Sequence, residues 1–540
     1  MYLRNEDRPQ GSRLYLRVAV VGGVAVALFA VLFFRLWNLQ VLSGDEYLAE
    51  AKNNRTREIK VIAPRGDILD RNGNVLVDNR TSLALQVNTS KLPADPAEER
   101  AELVRLGELV QMPLRKVRRT IEESEEVAAG APVTLKRDVG FDLVAYVEEN
   151  QDEFPGVAVQ RVFVRHYPNG SLAAHVLGNV SEISEEELKE AQYKNLEPGD
   201  EIGQAGAEYA YDGYLRGDPG LTRIQVNAMG EPTPGGQLVS TPPTPGDSLK
   251  LTIDDEAQSA GEAGLGARGL PGAFISMNID TGEILAMGSN PTYDPTDLIE
   301  PTQTQVNELY RDEVLAPLVN RATEGAYPTG SIFKIITALA ALENGKISPD
   351  ESIVDNGQIE VGTDTFENAG GEAHGSVELR RALQVSSDVY FYLLGWDMWD
   401  TNELQDEAHK LGIGRPAGLD LPEEGETLLP DRQWRNQLFK EKLTDRPWSA
   451  GDNIQLATGQ GDLQTNPLQM AIAYAALVNG GKIVTPHVGL EIEDTAGRVL
   501  KEFAPPAQRQ IEIDPANRDA ILDGLHEAAQ VPGGTSYGVF

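Results

Sequence analysis

Seventeen consecutive uncharged, largely apolar residues, Val18 to Phe34, stand between Arg17 and Arg35. Coiled as an α-helix they extend about 26 Å, close to the roughly 30 Å hydrocarbon thickness of a bilayer. Leu14, Tyr15 and Leu16 on one side, and Leu36, Trp37 and Leu39 on the other, lengthen the stretch and set aromatic rings near its ends. Arg4, Arg8, Arg13 and Arg17 precede it, a bias that favours a cytoplasmic N-terminus and an exported remainder. A secretory signal peptide is the competing reading, but the run is long for one and no small-residue cleavage site follows. The expectation is an uncleaved single-pass anchor at 18–36 behind a cytoplasmic tail, 1–17.

A chain of 540 residues exceeds one ordinary core, so the exported part should fold as two or more domains. A net charge of −36 argues against a nucleic-acid partner. There is no cysteine, which excludes disulfides, thiol nucleophiles and cysteine metal sites. The six histidines are scattered without a His-x-x-x-His pair, so no metal site is expected. Gly203 and Gly206 mimic a phosphate loop weakly, since no Lys-Ser/Thr follows and no strand precedes them.

Beyond the anchor, Gly44 to Arg57 reads as a polar helix. Asn72-Gly73 between alternating apolar flanks signals a hairpin. Arg65, Asp70 and Arg71 there read as a structural ion-pair corner. Pro93 to Glu126 has helical period, with Leu103, Leu106, Leu109 and Val110 on one stripe. Val157 to Val164 alternates like a strand. Glu231 to Asp247 is rich in Pro, Gly and Thr and reads as a linker, placing a domain boundary at 245/246. Leu249 to Ile253 then reads as strand, Asp254 to Leu265 as helix, and Ala273 to Met287 as strand, turn, strand. Strands followed by a helix cluster predict an α+β or α/β sandwich.

Within that second part, Tyr327-Pro328-Thr329-Gly330-Ser331-Ile332-Phe333-Lys334 opens the apolar run Ile335 to Ala340. The spacing predicts a loop entering a buried helix, with Ser331 in its first turn and Lys334 on the same face. A serine hydroxyl is a poor nucleophile until a base takes its proton. A lysine among Ile332, Phe333 and Ile335 can serve, because apolar surroundings disfavour its ammonium. The bland alternative is that Ser331 only caps the helix. Ala382 to Leu394 reads as a second helix, and its Ser386, Ser387 and Asp388 need partners, either from the site or locally.

With these pieces in order, the chain resembles a class B penicillin-binding protein over nearly its whole length. Ser331-Ile332-Phe333-Lys334 matches the family's Ser-x-x-Lys. Ser386-Ser387-Asp388 stands where the family has Ser-x-Asn. Pro64–Gly73, Arg165–Gly170 and Gly203–Gly217 resemble its membrane-proximal motifs, and Thr281–Met287 and Gly459-Gln460-Gly461 also fit. Leu177–Ile183 with Glu185-Glu186-Glu187 resembles the elongation type (penicillin-binding protein 2), the division type being the alternative.

The resemblance implies a membrane anchor, an elongated pedestal or dimerisation domain at 37–245, and a serine β-lactamase-like transpeptidase sandwich at 246–540. It implies catalytic roles for Ser331, Lys334, Ser386 and Asp388, substrate contacts at Thr329 and Gly330, and no cofactor. Peptidoglycan stem peptides would be cross-linked through a serine acyl-enzyme, β-lactams would inhibit, and a polytopic membrane glycosyltransferase would be the partner. A non-catalytic scaffold for that glycosyltransferase and a D,D-carboxypeptidase are the alternatives. Two departures stand out. Asp388 replaces an amide by an acceptor-only carboxylate, which could pair with Lys334. The family's Lys-Thr/Ser-Gly, which lies beyond the segment matching Pro532–Phe540, is not in the sequence, so a C-terminally incomplete sandwich lacking its last strands is expected.

Overall fold

The computed structural model describes residues 11–38, 56–127, 132–197, 199–226, 232–299, 301–422, 424–503 and 509–539. Two compact units emerge, one from Met1–Ala63 with Asp218–Thr244, the other from Pro64–Gly217 with Pro245–Phe540.

The first unit contains α1 (Gly11–Trp37), whose apolar stretch Tyr15–Trp37 is long enough to cross a membrane and buries none of its surface against protein. It also contains a three-stranded antiparallel sheet in the order Thr56–Val61, Gly220–Val226, Pro232–Thr241. Two sequence readings change here. The Pro- and Gly-rich run at 231–247 is not a loose linker. Its residues 232–241 form an outer strand, and such a position tolerates prolines because one side needs no ladder donors. The helix expected over Gly44–Arg57 falls mostly outside the described residues, and Arg57 lies in a strand.

The second unit is organised by a mixed sheet. β1 (Ile68–Leu69) and β2 (Val75–Asn88) form the predicted hairpin. Its turn is built by Asp70, whose Oδ1 accepts the N–H groups of Asn72 at 2.8 Å and Asn74 at 2.7 Å, while Gly73 takes φ +90°. Asp70 is therefore a turn residue rather than an ion-pair partner. β2 continues between β3 (Pro132–Lys136) and β4 (Val157–His166). Beneath them the helices Pro96–Val110 and Leu114–Val127 contribute Leu103, Leu106, Val110 and Val117 to a core shared with Leu85, Val87, Val133 and Val157.

On its other side β1 pairs in parallel with β5 (Ser248–Leu251), Leu249 facing Ile68. β5 pairs in turn with β6 (Gly489–Glu493), and β6 with β7 (Val499–Glu502). One sheet thus spans residues on both sides of position 245. Arg65 ties the same region together. Its guanidinium bonds Glu208 at 2.8 Å and Asp212 at 2.8 Å, and Arg165 bonds the other Glu208 oxygen at 2.5 Å. All three charged partners of this Arg–Glu–Arg cluster are buried.

A helical core is built around α2 (Lys334–Glu343), which is buried from Lys334 to Leu342. α3 (Leu379–Val385), α4 (Asp388–Asp397), α5 (Ala450–Ala457), α6 (Pro467–Val478) and α7 (Pro515–Gln530) supply Leu383, Tyr390, Phe391, Leu456, Leu468 and Ile521 to the same core. The single helix predicted over 382–394 is broken in two. Ser386 takes φ 55°, ψ 44° and ends α3, and Ser387 caps α4 by accepting the Tyr390 N–H. The Ser387 side chain competes for a backbone group in this way and starts the second helix, while the first ends through the left-handed backbone of Ser386.

Candidate active site

Ser331 sits where the sequence places it, in the turn that leads into α2. The turn is 3₁₀, Gly330 to Phe333, and the Lys334 N–H returns to the Ser331 carbonyl. Two anchors hold the preceding loop. Tyr327 exchanges both backbone hydrogen bonds with Thr465, and Gly330 donates its N–H to the Gly459 carbonyl at 2.8 Å. Phe333 and Ile335 are buried beneath the turn, while Ile332 and Ser331 face outward. Among the described residues the Ser331 hydroxyl has no hydrogen-bond partner, so it is open to an incoming group.

Lys334 is 1 % exposed. Its Nζ donates to the Ser386 carbonyl at 2.8 Å and the Ser386 hydroxyl at 2.9 Å, and lies 2.7 Å from Asp388 Oδ1. The ring of Phe391 lies 5.5 Å beneath it. An ammonium has three N–H donors, and all three are engaged. Burial lowers its pKa below the ordinary lysine value, and the Asp388 charge opposes that shift without cancelling it.

The break between α3 and α4 makes this arrangement possible. A continuous helix would point residues 386 and 388 in directions about 160° apart. The left-handed Ser386 instead turns both its carbonyl and its hydroxyl to Lys334, with Asp388 alongside. The pairing of Asp388 with Lys334 expected from the sequence is made. Ser387 points the other way, fully buried, with its hydroxyl on Asp355 at 2.6 Å. Thr329 turns its hydroxyl inward, where among the described residues it has no partner.

Gly459 was legible only as part of a short motif, and the structure gives its reason. It has φ +70°, and a Cβ there would lie 2.2 Å from the Gly330 carbonyl oxygen and 2.7 Å from Phe333 Cβ. Gly459→Ala should therefore displace the Ser331 turn and slow any reaction of the Ser331 hydroxyl by about 100-fold, the scale of an ångström-sized misplacement. Stopped-flow reaction with a chromogenic β-lactam, the inhibitor class that the sequence resemblance implies, would measure it, and a parental rate would show that the turn absorbs the extra carbon. The sequence reading missed Asp355 and Asn368 altogether, since an isolated acid and an isolated amide 13 residues apart carry no pattern. Among the described residues no three His, Asp or Glu side chains converge as metal ligands.

Similarity to known proteins agrees with this geometry. Residues 60–251 match the Penicillin-binding Protein dimerisation domain, and residues 272–539 the Penicillin binding protein transpeptidase domain. Peptidoglycan D,D-transpeptidase MrdA of Salmonella typhimurium is 31 % identical over 552 residues, covering 99 % of this chain and 85 % of that one. The penicillin-binding protein PBP2 of Helicobacter pylori, solved in complex with MreC, superposes with a TM-score of 0.74 at 25 % identity, over 89 % of this chain and 86 % of that one. A chain of a peptidoglycan synthase complex, solved to describe the coordination of polymerization and crosslinking, superposes with a TM-score of 0.59 at 28 % identity, over 96 % and 84 %. With the serine–lysine turn, the split Ser-x-Asp helix pair and full-length similarity in agreement, the chain belongs to the penicillin-binding proteins, among the peptidoglycan D,D-transpeptidases.

Proposed function

We propose that the chain cross-links peptidoglycan stem peptides during cell-wall elongation through an acyl-enzyme on Ser331. The observation that carries this reading is the buried Lys334, held between Ser386 and Asp388 one turn from an exposed serine hydroxyl that has no partner among the described residues. When Lys334 is neutral it keeps two donors for the Ser386 carbonyl and Asp388, and its lone pair faces the Ser386 hydroxyl side. There it takes the Ser331 proton, directly or through Ser386. Ser331 Oγ attacks the penultimate D-Ala carbonyl, and the Ser331 N–H at the start of the turn is a donor for the oxyanion. Collapse breaks the amide bond, and the departing D-Ala nitrogen receives the proton by way of Ser386. An amine of a second stem peptide then attacks the ester, forms the new amide and returns Ser331 to the hydroxyl form. Thr329 and Gly330 shape the substrate side of the turn.

The same reading assigns 37–245 to a pedestal, 246–540 to the transpeptidase domain, and α1 to a single-pass anchor. The arginines before α1 support a cytoplasmic N-terminus. The partner we assign is a polytopic membrane glycosyltransferase, which would supply the glycan strand being cross-linked. The similarity to a chain of a peptidoglycan synthase complex supports it.

Benzylpenicillin, as a mimic of the D-Ala-D-Ala amide, should add its mass covalently to the full chain in membranes, and Ser331→Ala should abolish the adduct in intact-mass spectra. An adduct that survives the substitution would overturn Ser331 as nucleophile. Stem pentapeptides should give dimeric product, whereas D-Ala release alone would assign a carboxypeptidase.

A further inference from the structure

Behind the Lys334 site lies a second, fully buried polar cluster that the proton path does not use. Asp355, at the end of the short strand Ile353–Asp355, has no exposed surface. Both its carboxylate oxygens accept from Asn368 Nδ2, at 2.9 Å each. Oδ1 also accepts the Gly357 N–H at 2.8 Å, and Oδ2 the Ser387 hydroxyl at 2.6 Å. Asn368 is equally committed. Its Nδ2 also donates to the Glu372 carbonyl at 2.6 Å, and its Oδ1 accepts the Val389 N–H at 2.8 Å. Next to it, Ala369 donates its N–H to Asp388 Oδ2 at 3.2 Å.

These bonds converge on one segment, residues 387–389, from outside α3 and α4. They grip Ser387 by its side chain, Val389 by its backbone and Asp388 by the carboxylate oxygen that Lys334 does not use. Immediately before them stands Ser386, in a left-handed conformation that a residue with a Cβ adopts only when its surroundings over-determine it. That conformation is what aims the Ser386 carbonyl and hydroxyl at Lys334.

We propose that Asp355, Asn368 and Ser387 form a positioning clamp that holds Ser386 and Asp388 on Lys334, and so sets the acylation rate from a site that never touches substrate. Removing a bond of the clamp lets Ser386 relax toward ordinary backbone angles, and its hydroxyl then leaves Lys334. The effect should appear in chemistry rather than in stability alone. The inference rests on the reading of Ser331 and Lys334 as the acylation pair, and the parent protein tests that reading separately.

The test uses the full chain in detergent with benzylpenicillin, and measures the acylation rate constant of the folded fraction as a function of pH. Ser387→Ala and Asp355→Asn should each slow acylation by about 10- to 100-fold and move the pH midpoint of the rate. Because both variants remove the Ser387–Asp355 bond, the double variant should cost less than the product of the two single losses. Ser387→Thr, which keeps the hydroxyl, should recover part of the Ser387→Ala loss. If Asp355→Asn does not fold, the Ser387 pair alone decides. Parental rates and an unchanged pH midpoint, with only a lower melting temperature, would overturn the clamp and leave a structural role. A parent that forms no adduct would instead overturn the acylation reading beneath it.

Discussion

Lys334→Met should leave a folded protein that acylates Ser331 with benzylpenicillin about 100- to 10 000-fold more slowly, the range over which a positioned acid–base group accelerates proton transfer. Methionine keeps an unbranched apolar stem beside the Phe391 ring, so the core around α2 should survive. What disappears is the ammonium or amine that bonds both Ser386 and Asp388. The pH profile supplies the sharper check. A lysine whose pKa is lowered by burial becomes neutral, and competent as a base, below the ordinary lysine range. Acylation should therefore rise with pH through that lowered value. Asp388 is the opposing influence, because its charge favours the ammonium. Asp388→Asn should move the rise to still lower pH, which a pH series of the acylation rate would record. A parental rate in Lys334→Met would assign the base elsewhere, and a limb that shifts upward in Asp388→Asn would contradict the charge argument.

Glu208→Ala should destabilise the second unit by about 3–5 kcal/mol, the cost of leaving buried charge uncompensated. Glu208 has no exposed surface and is the shared anion of Arg65 and Arg165. Burial alone would raise its pKa, but Arg165 and then Arg65 more than offset that and hold it below the ordinary glutamate range. A carboxylate with a depressed folded pKa contributes stability that is complete above its unfolded pKa and is lost as pH falls through the folded value. The cluster therefore holds at neutral pH and fails only in acid. Thermal melting followed by circular dichroism would read the loss, and it should shrink at low pH, where Glu208 is protonated in the parent as well. A melting temperature equal to the parent's at neutral pH would show that water or rearrangement neutralises the arginines.

Much of this was legible before any coordinates. The membrane-length helix follows from seventeen uncharged residues between arginines, because bilayer thickness fixes how many apolar residues a span requires. The β1–β2 hairpin follows from Asn72-Gly73, and the buried α2 from a breaker-free apolar run. Ser331 and Lys334 sit one turn apart for the same local reason. Local rules misled where pairing partners were distant in the chain. The Pro- and Gly-rich run 232–241 reads as linker by composition but becomes a strand because Gly220–Val226 offers it a ladder. Arg65 and Asp70 are close in sequence, yet Arg65 is neutralised by Glu208, 143 residues away.

By itself, then, the sequence determined the membrane-length helix, the hairpin and the turn that brings a serine and a lysine together, since these depend on contacts within a few residues. Only the tertiary structure decided how that lysine is held. Residues 382–394 have the composition of one helix, and the bonds from Asp355 and Asn368 accompany its division at Ser386. A left-handed serine is unfavourable in isolation and persists only when buried partners from elsewhere in the chain hold the segment around it.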